Sequence, residues 1–264
     1  MKIAVCIKQV PDSWAEKKMV NGLLDRAGVD AVLNDLDEYA IEEALRIIEP
    51  LNEGKENPEH TITLISMGPE RATEAIRKGL SMGADDAILV SDPALAGSDA
   101  LATSKVLAKV IETGHYDLVF CGTESTDARM SVIPAMLAER LGWAQLTFAG
   151  SVAVDPVAKR VEIARITDLG VETMNSSFPA IISVIEKINE PRYPSFKGIM
   201  AAKKKPIETK TIADLGISDV GLANAWSIVT EFSARPPREK GIKIDDTGDG
   251  GTQLVAFLAE KRLI

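Results

Sequence analysis

The constraint that most limits the fold of this chain is an alternation. Four short runs rich in β-branched and aliphatic residues, 3–7, 61–66, 87–90 and 118–121, are separated by stretches long enough to hold a helix. Parallel strands cannot be joined by a tight turn, so this rhythm predicts a parallel sheet wrapped by helices. Helix signals fall where the rhythm needs them. Asp35, with Glu38 three residues on, reads as a capping box opening a helix that Pro50 stops. Gly68-Pro69 puts proline at the first turn of a second helix, with Ala72, Ala75, Ile76 and Leu80 on one face and Gly83 past its end. Ser98 caps a third, whose stripe is Leu101, Leu107, Val110 and Ile111 and whose stop is Gly114. A fourth has Pro134 near its start and Gly142 after it.

Past Gly142 the pattern changes. Segments 161–166 and 171–175 alternate in polarity around Asp168-Leu169-Gly170, an antiparallel hairpin, and 180–184 reads as another buried strand. The expectation is a doubly wound, mostly parallel α/β domain over 1–189 with an antiparallel hairpin. Beyond it come a proline-rich, lysine-rich segment at 190–205 and an extended C-terminal arm at 206–264 with one helix, 252–261. Such an arm, with little core of its own, is expected to pack on another chain.

Composition excludes several function classes. Of 264 residues 45% are hydrophobic, enough for a large core without disulfides, and the two cysteines, Cys6 and Cys121, lie in apolar runs as free thiols. With His60 and His115 as the two histidines, a thiolate or imidazole metal site has almost no material, and both flank the amino ends of strands, where a catalytic triad is not expected. Asp246, Gly248 and Asp249 lack the glutamate of a calcium loop and read as a solvated turn. No signal-peptide layout and no apolar run near the roughly 18 residues of a membrane span is present, so the expected location is the cytoplasm.

Ligands of an open α/β sheet bind at the carboxyl ends of its strands, which directs attention to 6–9, 66–68 and 122–127. Gly122-Thr123-Glu124-Ser125-Thr126-Asp127 joins a permissive glycine and hydroxyls to a helix start, a cradle for phosphate. Equally, Ser125, Thr126 or Asp127 could cap the next helix, and local sequence does not separate the two readings. Neither Gly-x-Gly-x-x-Gly nor a Walker loop occurs, and no catalytic acid, base or nucleophile stands out. The net charge of −9 conceals a basic segment: 190–210 holds Arg192, Lys197, Lys203, Lys204, Lys205 and Lys210 against Glu190 and Glu208, a local +4 that leaves −13 elsewhere. So acidic a chain is not expected to bind nucleic acid. Within that segment, Tyr193 and Phe196 between prolines suit either docking onto an acidic, apolar pocket or covering the domain's own core.

These residues resemble the beta subunit of electron transfer flavoproteins. The likeness is carried by Lys2-Ile3-Ala4-Val5-Cys6-Ile7-Lys8-Gln9-Val10-Pro11-Asp12, by Asn34 with Asp37-Glu38-Tyr39-Ala40-Ile41-Glu42-Glu43-Ala44, and by Gly68-Pro69 and Met82-Gly83-Ala84-Asp85. It continues through Gly122, Ser125 and Asp127 to Asn189-Glu190-Pro191-Arg192-Tyr193 and Ile199-Met200-Ala201-Ala202-Lys203-Lys204-Lys205. The resemblance implies an adenine nucleotide alpha hydrolase-like fold, an alpha subunit holding redox-active FAD, and a structural AMP in the beta subunit. It implies AMP contacts at Cys6, at Asn34, Asp35, Leu36 and Asp37, at Met67, and at Gly122, Thr123, Glu124, Ser125, Thr126, Asp127, Ser131, Val132 and Ile133. It also implies that Pro191, Arg192, Tyr193, Phe196, Lys203, Lys204 and Lys205 dock partner dehydrogenases and that the arm lies on the alpha subunit. Two departures stand out: Val132-Ile133-Pro134 where the family often has Gln-Thr-Gly, and Arg165-Ile166-Thr167-Asp168-Leu169-Gly170 for arginine-glutamate-x-acid-Gly-Gly.

The function implied is that of an electron carrier with no catalytic residues of its own. It takes electrons from dehydrogenases, acyl-CoA dehydrogenases among them, through the alpha subunit's FAD, and passes them to a quinone oxidoreductase without itself being membrane-embedded. Two alternatives remain at this stage: a flavin-bifurcating relative with a second FAD in the beta site, and a stand-alone adenine-nucleotide-binding sensor or hydrolase.

Overall fold

The computed structural model describes all residues except 57, 234, 235 and 239, in two compact units, Met1–Thr230 and Glu231–Ile264. Among the described residues thirteen strands and six α-helices follow in chain order: β1 (Lys2–Cys6), β2 (Gln9–Pro11), β3 (Met19–Val20), β4 (Leu23–Leu24), β5 (Ala31–Leu33), α1 (Asp35–Asn52), β6 (Thr61–Met67), α2 (Thr73–Met82), β7 (Asp86–Val90), α3 (Ala100–Gly114) and β8 (Leu118–Gly122). Then come α4 (Ile133–Leu141), β9 (Ala144–Asp155), β10 (Arg160–Thr167), β11 (Gly170–Ser177), β12 (Ala180–Val184), α5 (Phe196–Ala202), β13 (Ile207–Lys210) and α6 (Gly250–Glu260).

Nine strands form one sheet in the order β11-β10-β9-β12-β8-β1-β6-β7-β13. From β9 to β13 every neighbour is parallel, while β9, β10 and β11 pair antiparallel, so the fold is the α/β class expected. Side-chain alternation sorts the core into two layers. Ile3, Val5, Leu118 and Phe120 face Ile41, Leu45, Ile76 and Leu80 of α1 and α2. Ala4, Cys6, Val119 and Cys121 face Val106, Val110, Ile111 and Leu137 of α3 and α4.

Several local expectations are corrected. The capping box does not form: Asp35 is already helical, and the N-cap is Asn34, whose side chain accepts no bond from the backbone N–H groups of the first turn. Pro50 sits inside α1, and the turn survives beyond it because the Asn52 amide exchanges hydrogen bonds with the His60 backbone at 2.8 and 3.3 Å. Asp99 rather than Ser98 caps α3, accepting from Ala102 N at 2.9 Å, while Ser98 Oγ accepts from Gly221 N. Leu101, assigned to the buried stripe of α3, is 39% exposed. The structure adds two strands, β9 and β13, and one helix, α5, that the sequence pattern does not announce. The stretch after residue 206 starts by adding β13 to the β7 edge and placing Leu215 and Val220 in the α3–α4 layer. In the second unit Asp246 accepts from Gly248 N and Gly250 N at 2.8 Å, the turn expected there, and α6 leaves Leu254 and Val255 more than half exposed.

Asp99 also accepts from Trp226 N and Ser227 N through its other oxygen. Asp99→Ala is therefore expected to cost about 1–2 kcal/mol in urea unfolding, and Ser98→Ala a smaller amount; equal losses would return the cap to Ser98.

Candidate functional site

The strand order reverses at β1: the chain steps from β1 to β6 and β7, then returns to place β8 on the other side of β1. Loops leaving two such strands diverge to opposite faces and open a crevice at their carboxyl ends. Cys6 and Cys121 lie side by side at that point, and contact with the Cys6 thiol, together with burial, pushes the Cys121 thiol well above its ordinary pKa.

One buried amide organises the crevice. Asn34, 1% exposed, accepts from Thr126 N at 3.0 Å and donates to Glu124 O at 3.0 Å and Asp37 Oδ1 at 2.9 Å, binding the first turn of α1 to the loop after β8. Gly122 lets them approach, since a Cβ there would lie 2.6 Å from Asp37 Oδ1 and 2.8 Å from the Leu36 carbonyl carbon. Asp37 accepts from Lys8 N at 2.7 Å; burial raises its carboxyl to about 7 in spite of these donors. Lys8 Nζ bonds Asp127 Oδ1 at 2.9 Å and Ser125 Oγ at 3.3 Å, and Arg26 Nη2 lies 2.5 Å from Asp127 Oδ2. Burial alone would raise the Asp127 carboxyl, but Lys8, Ser125 and Arg26 hold it well below the usual range.

These contacts place most of the residues singled out from sequence. Asn34, Asp37, Glu124, Ser125, Thr126 and Asp127 form one network, with Ser131 Oγ donating to Glu124 at 3.2 Å. Cys6, Met67 and Ile133 share one apolar cluster, and Asp35 and Thr126 line a common hollow of about 280 Å³. Thr123 turns aside, its hydroxyl donating to Val184 O at 2.6 Å. Ser125, Thr126 and Asp127 do not cap α4, whose N-cap is Val132 with no side-chain bond, so that reading is set aside. Sequence reasoning missed Lys8 and Arg26. Lys8 lies two residues past β1, within the 6–9 stretch, and could have been found; Arg26 arrives from the β4–β5 connection, held by Arg71, which donates to Arg26 O, Ala27 O and Val29 O.

The donor set fits a nucleotide phosphate. Two helix starts without side-chain caps, α1 and α4, border the loop, and Lys8 and Arg26 bring two cations to it.

The basic segment lies on a different part of α1. Tyr193 is 96% and Phe196 80% exposed, so neither covers the domain's own core. What sequence presents as a loop contains α5, capped by Ser195 Oγ accepting from Gly198 N at 3.0 Å. Arg192 is bound to Glu42 and Glu49, and Lys205 to backbone carbonyls, whereas Lys203 and Lys204 are exposed.

Fold and crevice together define an α/β protein whose strand ends carry a polar, cation-lined crevice, and comparison with known proteins makes its class specific. The electron transfer flavoprotein domain matches residues 21–215. The chain is 47% identical to the electron transfer flavoprotein subunit beta of Mycobacterium tuberculosis (strain ATCC 25618 / H37Rv) over 99% of both proteins. It is 34% identical to that of Megasphaera elsdenii over 99% of this chain and 97% of the relative, and 35% identical to Protein FixA of Azotobacter vinelandii over 100% and 94%. This chain belongs to the electron transfer flavoprotein family, as a beta subunit. No helix among the described residues is long and apolar enough to cross a membrane.

The Lys8–Asp127–Arg26 cluster gives a pH prediction. A depressed carboxyl contributes stability that is present above the unfolded value of 3.8 and lost as pH falls through the lower folded value. Asp127→Asn, which strands two cations that are each partly solvated, should cost about 2 kcal/mol at pH 7. The gap from wild type should narrow below pH 4, and a gap that stayed constant down to pH 2 would count against the ionic account.

Proposed function

We propose that this subunit pairs with an electron transfer flavoprotein alpha subunit and carries an AMP in the crevice between β1 and β8. The heterodimer takes electrons from dehydrogenases, such as acyl-CoA dehydrogenases, and hands them to a quinone oxidoreductase. The observation that carries the nucleotide reading is the meeting of Lys8, Arg26 and two uncapped helix starts at the switch point of the sheet. Lys8, Arg26 and the amides of 122–133 hold the phosphate, with backbone replacing the side chains that Val132-Ile133-Pro134 lacks, and Cys6, Met67 and Ile133 receive the base. FAD, when bound to the partner, supplies the electron chemistry. This chain's part is docking and orientation: the segment 191–205 presents Phe196 to a donor's apolar socket, and the arm at 231–264, with its exposed Leu254 and Val255, lies on the alpha subunit.

The test is to co-express the chain with its alpha subunit and count nucleotides released from the purified heterodimer. One FAD and one AMP are expected. Two FAD would assign a second flavin to this crevice, and a heterodimer with FAD alone would refute the nucleotide reading. Lys8→Met should lower AMP retention by about tenfold or more, the worth of a charge-assisted bond. Phe196→Ala should slow electron uptake from a dehydrogenase while FAD content stays at wild-type level; lost FAD with normal uptake would undo the docking assignment.

A further inference from the structure

We propose that Arg192 and Lys205 are positioning residues that staple the two ends of the 189–205 segment to α1 and α2, leaving its docking charge to Lys197, Lys203 and Lys204. The proposal rests on the reading of this segment as the docking surface. At the leading end Arg192 donates through Nε and its backbone N to Glu42 Oε2 at 2.7 and 3.2 Å, and through Nη2 to Glu42 Oε1 at 3.1 Å and Glu49 Oε2 at 3.0 Å; Nη1 also reaches Glu49. Glu42 is 4% exposed, so this guanidinium fork is seated in the protein's own surface. Asn189 beside it donates to Tyr39 O at 3.1 Å and Glu43 Oε2 at 3.0 Å.

At the trailing end Lys205 Nζ donates to the carbonyls of Leu80, Gly83 and Ala84, where the end of α2 leaves acceptors without helical partners. Arg77 of α2 reciprocates, donating to Ala202 O at 2.5 Å and Lys205 O at 2.6 Å. Between the staples α5 rests directly on α2, for a Cβ on Gly198 would lie 2.5 Å from Ser81 O. Phe196, Ile199 and Met200, at i, i+3 and i+4, are thereby held outward, 80, 46 and 48% exposed. Lys197, Lys203 and Lys204 flank them, exposed and without an ion pair among the described residues. A strip ordered during folding loses little entropy when a partner arrives, which is how groups that touch no partner strengthen docking.

The test uses the full heterodimer with its alpha subunit, reduced by an acyl-CoA dehydrogenase at several ionic strengths. Arg192→Lys keeps the charge and loses the fork. It is expected to raise KM for the heterodimer about fivefold, more than it lowers kcat, and to speed tryptic cleavage at Lys197, with the salt dependence of kcat/KM unchanged. Lys205→Met should do the same from the other end, and Glu42→Gln tests the leading staple should Lys205→Met fail to fold. Lys203→Ala and Lys204→Ala should instead flatten the salt dependence and leave cleavage at Lys197 at the wild-type rate. Arg192→Lys indistinguishable from wild type in KM and cleavage overturns the proposal, as does a salt dependence flattened as strongly by Lys205→Met as by Lys203→Ala. Faster cleavage with unchanged KM in every variant, Phe196→Ala included, would refute the docking reading and confine the staples to folding.

Discussion

The structure depends on one topological constraint, the reversal of strand order at β1. Parallel neighbours need crossovers, and a chain that winds first to β7 and then back to β8 sends its two sets of helices to opposite faces of the sheet. The carboxyl ends of β1 and β8 are then left uncovered together. Asn34, Gly122, Lys8 and the 122–132 loop meet there because the winding brings them there, although Lys8 and the loop are more than a hundred residues apart in sequence.

Within that crevice, charge is organised by burial. Asp127 is nearly enclosed, and an unpaired carboxylate in that position would be expensive; Lys8 and Arg26 offset it and are thereby held at the loop. The same balance recurs in the middle of α1, where buried Glu42 and Glu43 are matched by Arg192 and Asn189. α1 thus has two polar regions with different work. Its first turn organises the candidate nucleotide site, and Glu42, Glu43 and Glu49 further along hold the candidate docking strip.

How much of this could be read from the chain varies by residue. The strands β1, β6, β7 and β8 and both apolar layers follow from hydrophobic patterning, because burial on both faces leaves those strands with few polar positions to obscure them. β9 was missed because it alternates only where it leaves the core, and β13 because four residues, Ile207–Lys210, carry too little pattern. Caps were the least legible feature. Asp35, Ser98 and Asp99 are all competent capping residues, and the choice among them was decided by partners such as Ala102 N, Gly221 N and the 226–227 backbone. The partners of Arg192 and Lys205 were illegible for the same reason: a sequence shows a charge without the carboxylates or carbonyls that meet it.

The sequence by itself determined the fold class, the two layers of the core, and the loops in which a ligand site had to lie, since these follow from patterns of neighbours along one chain. The family was legible too, from motifs spread over nearly its whole length. Only the tertiary structure decided that Lys8 and Arg26 meet at Asp127, that Thr123 turns to Val184, and that the 190–205 segment carries a helix pinned to α1 and α2. Those are pairings between residues far apart in the chain, such as Arg26 with Asp127 and Arg192 with Glu42, and their geometry exists only once the sheet has brought the two together.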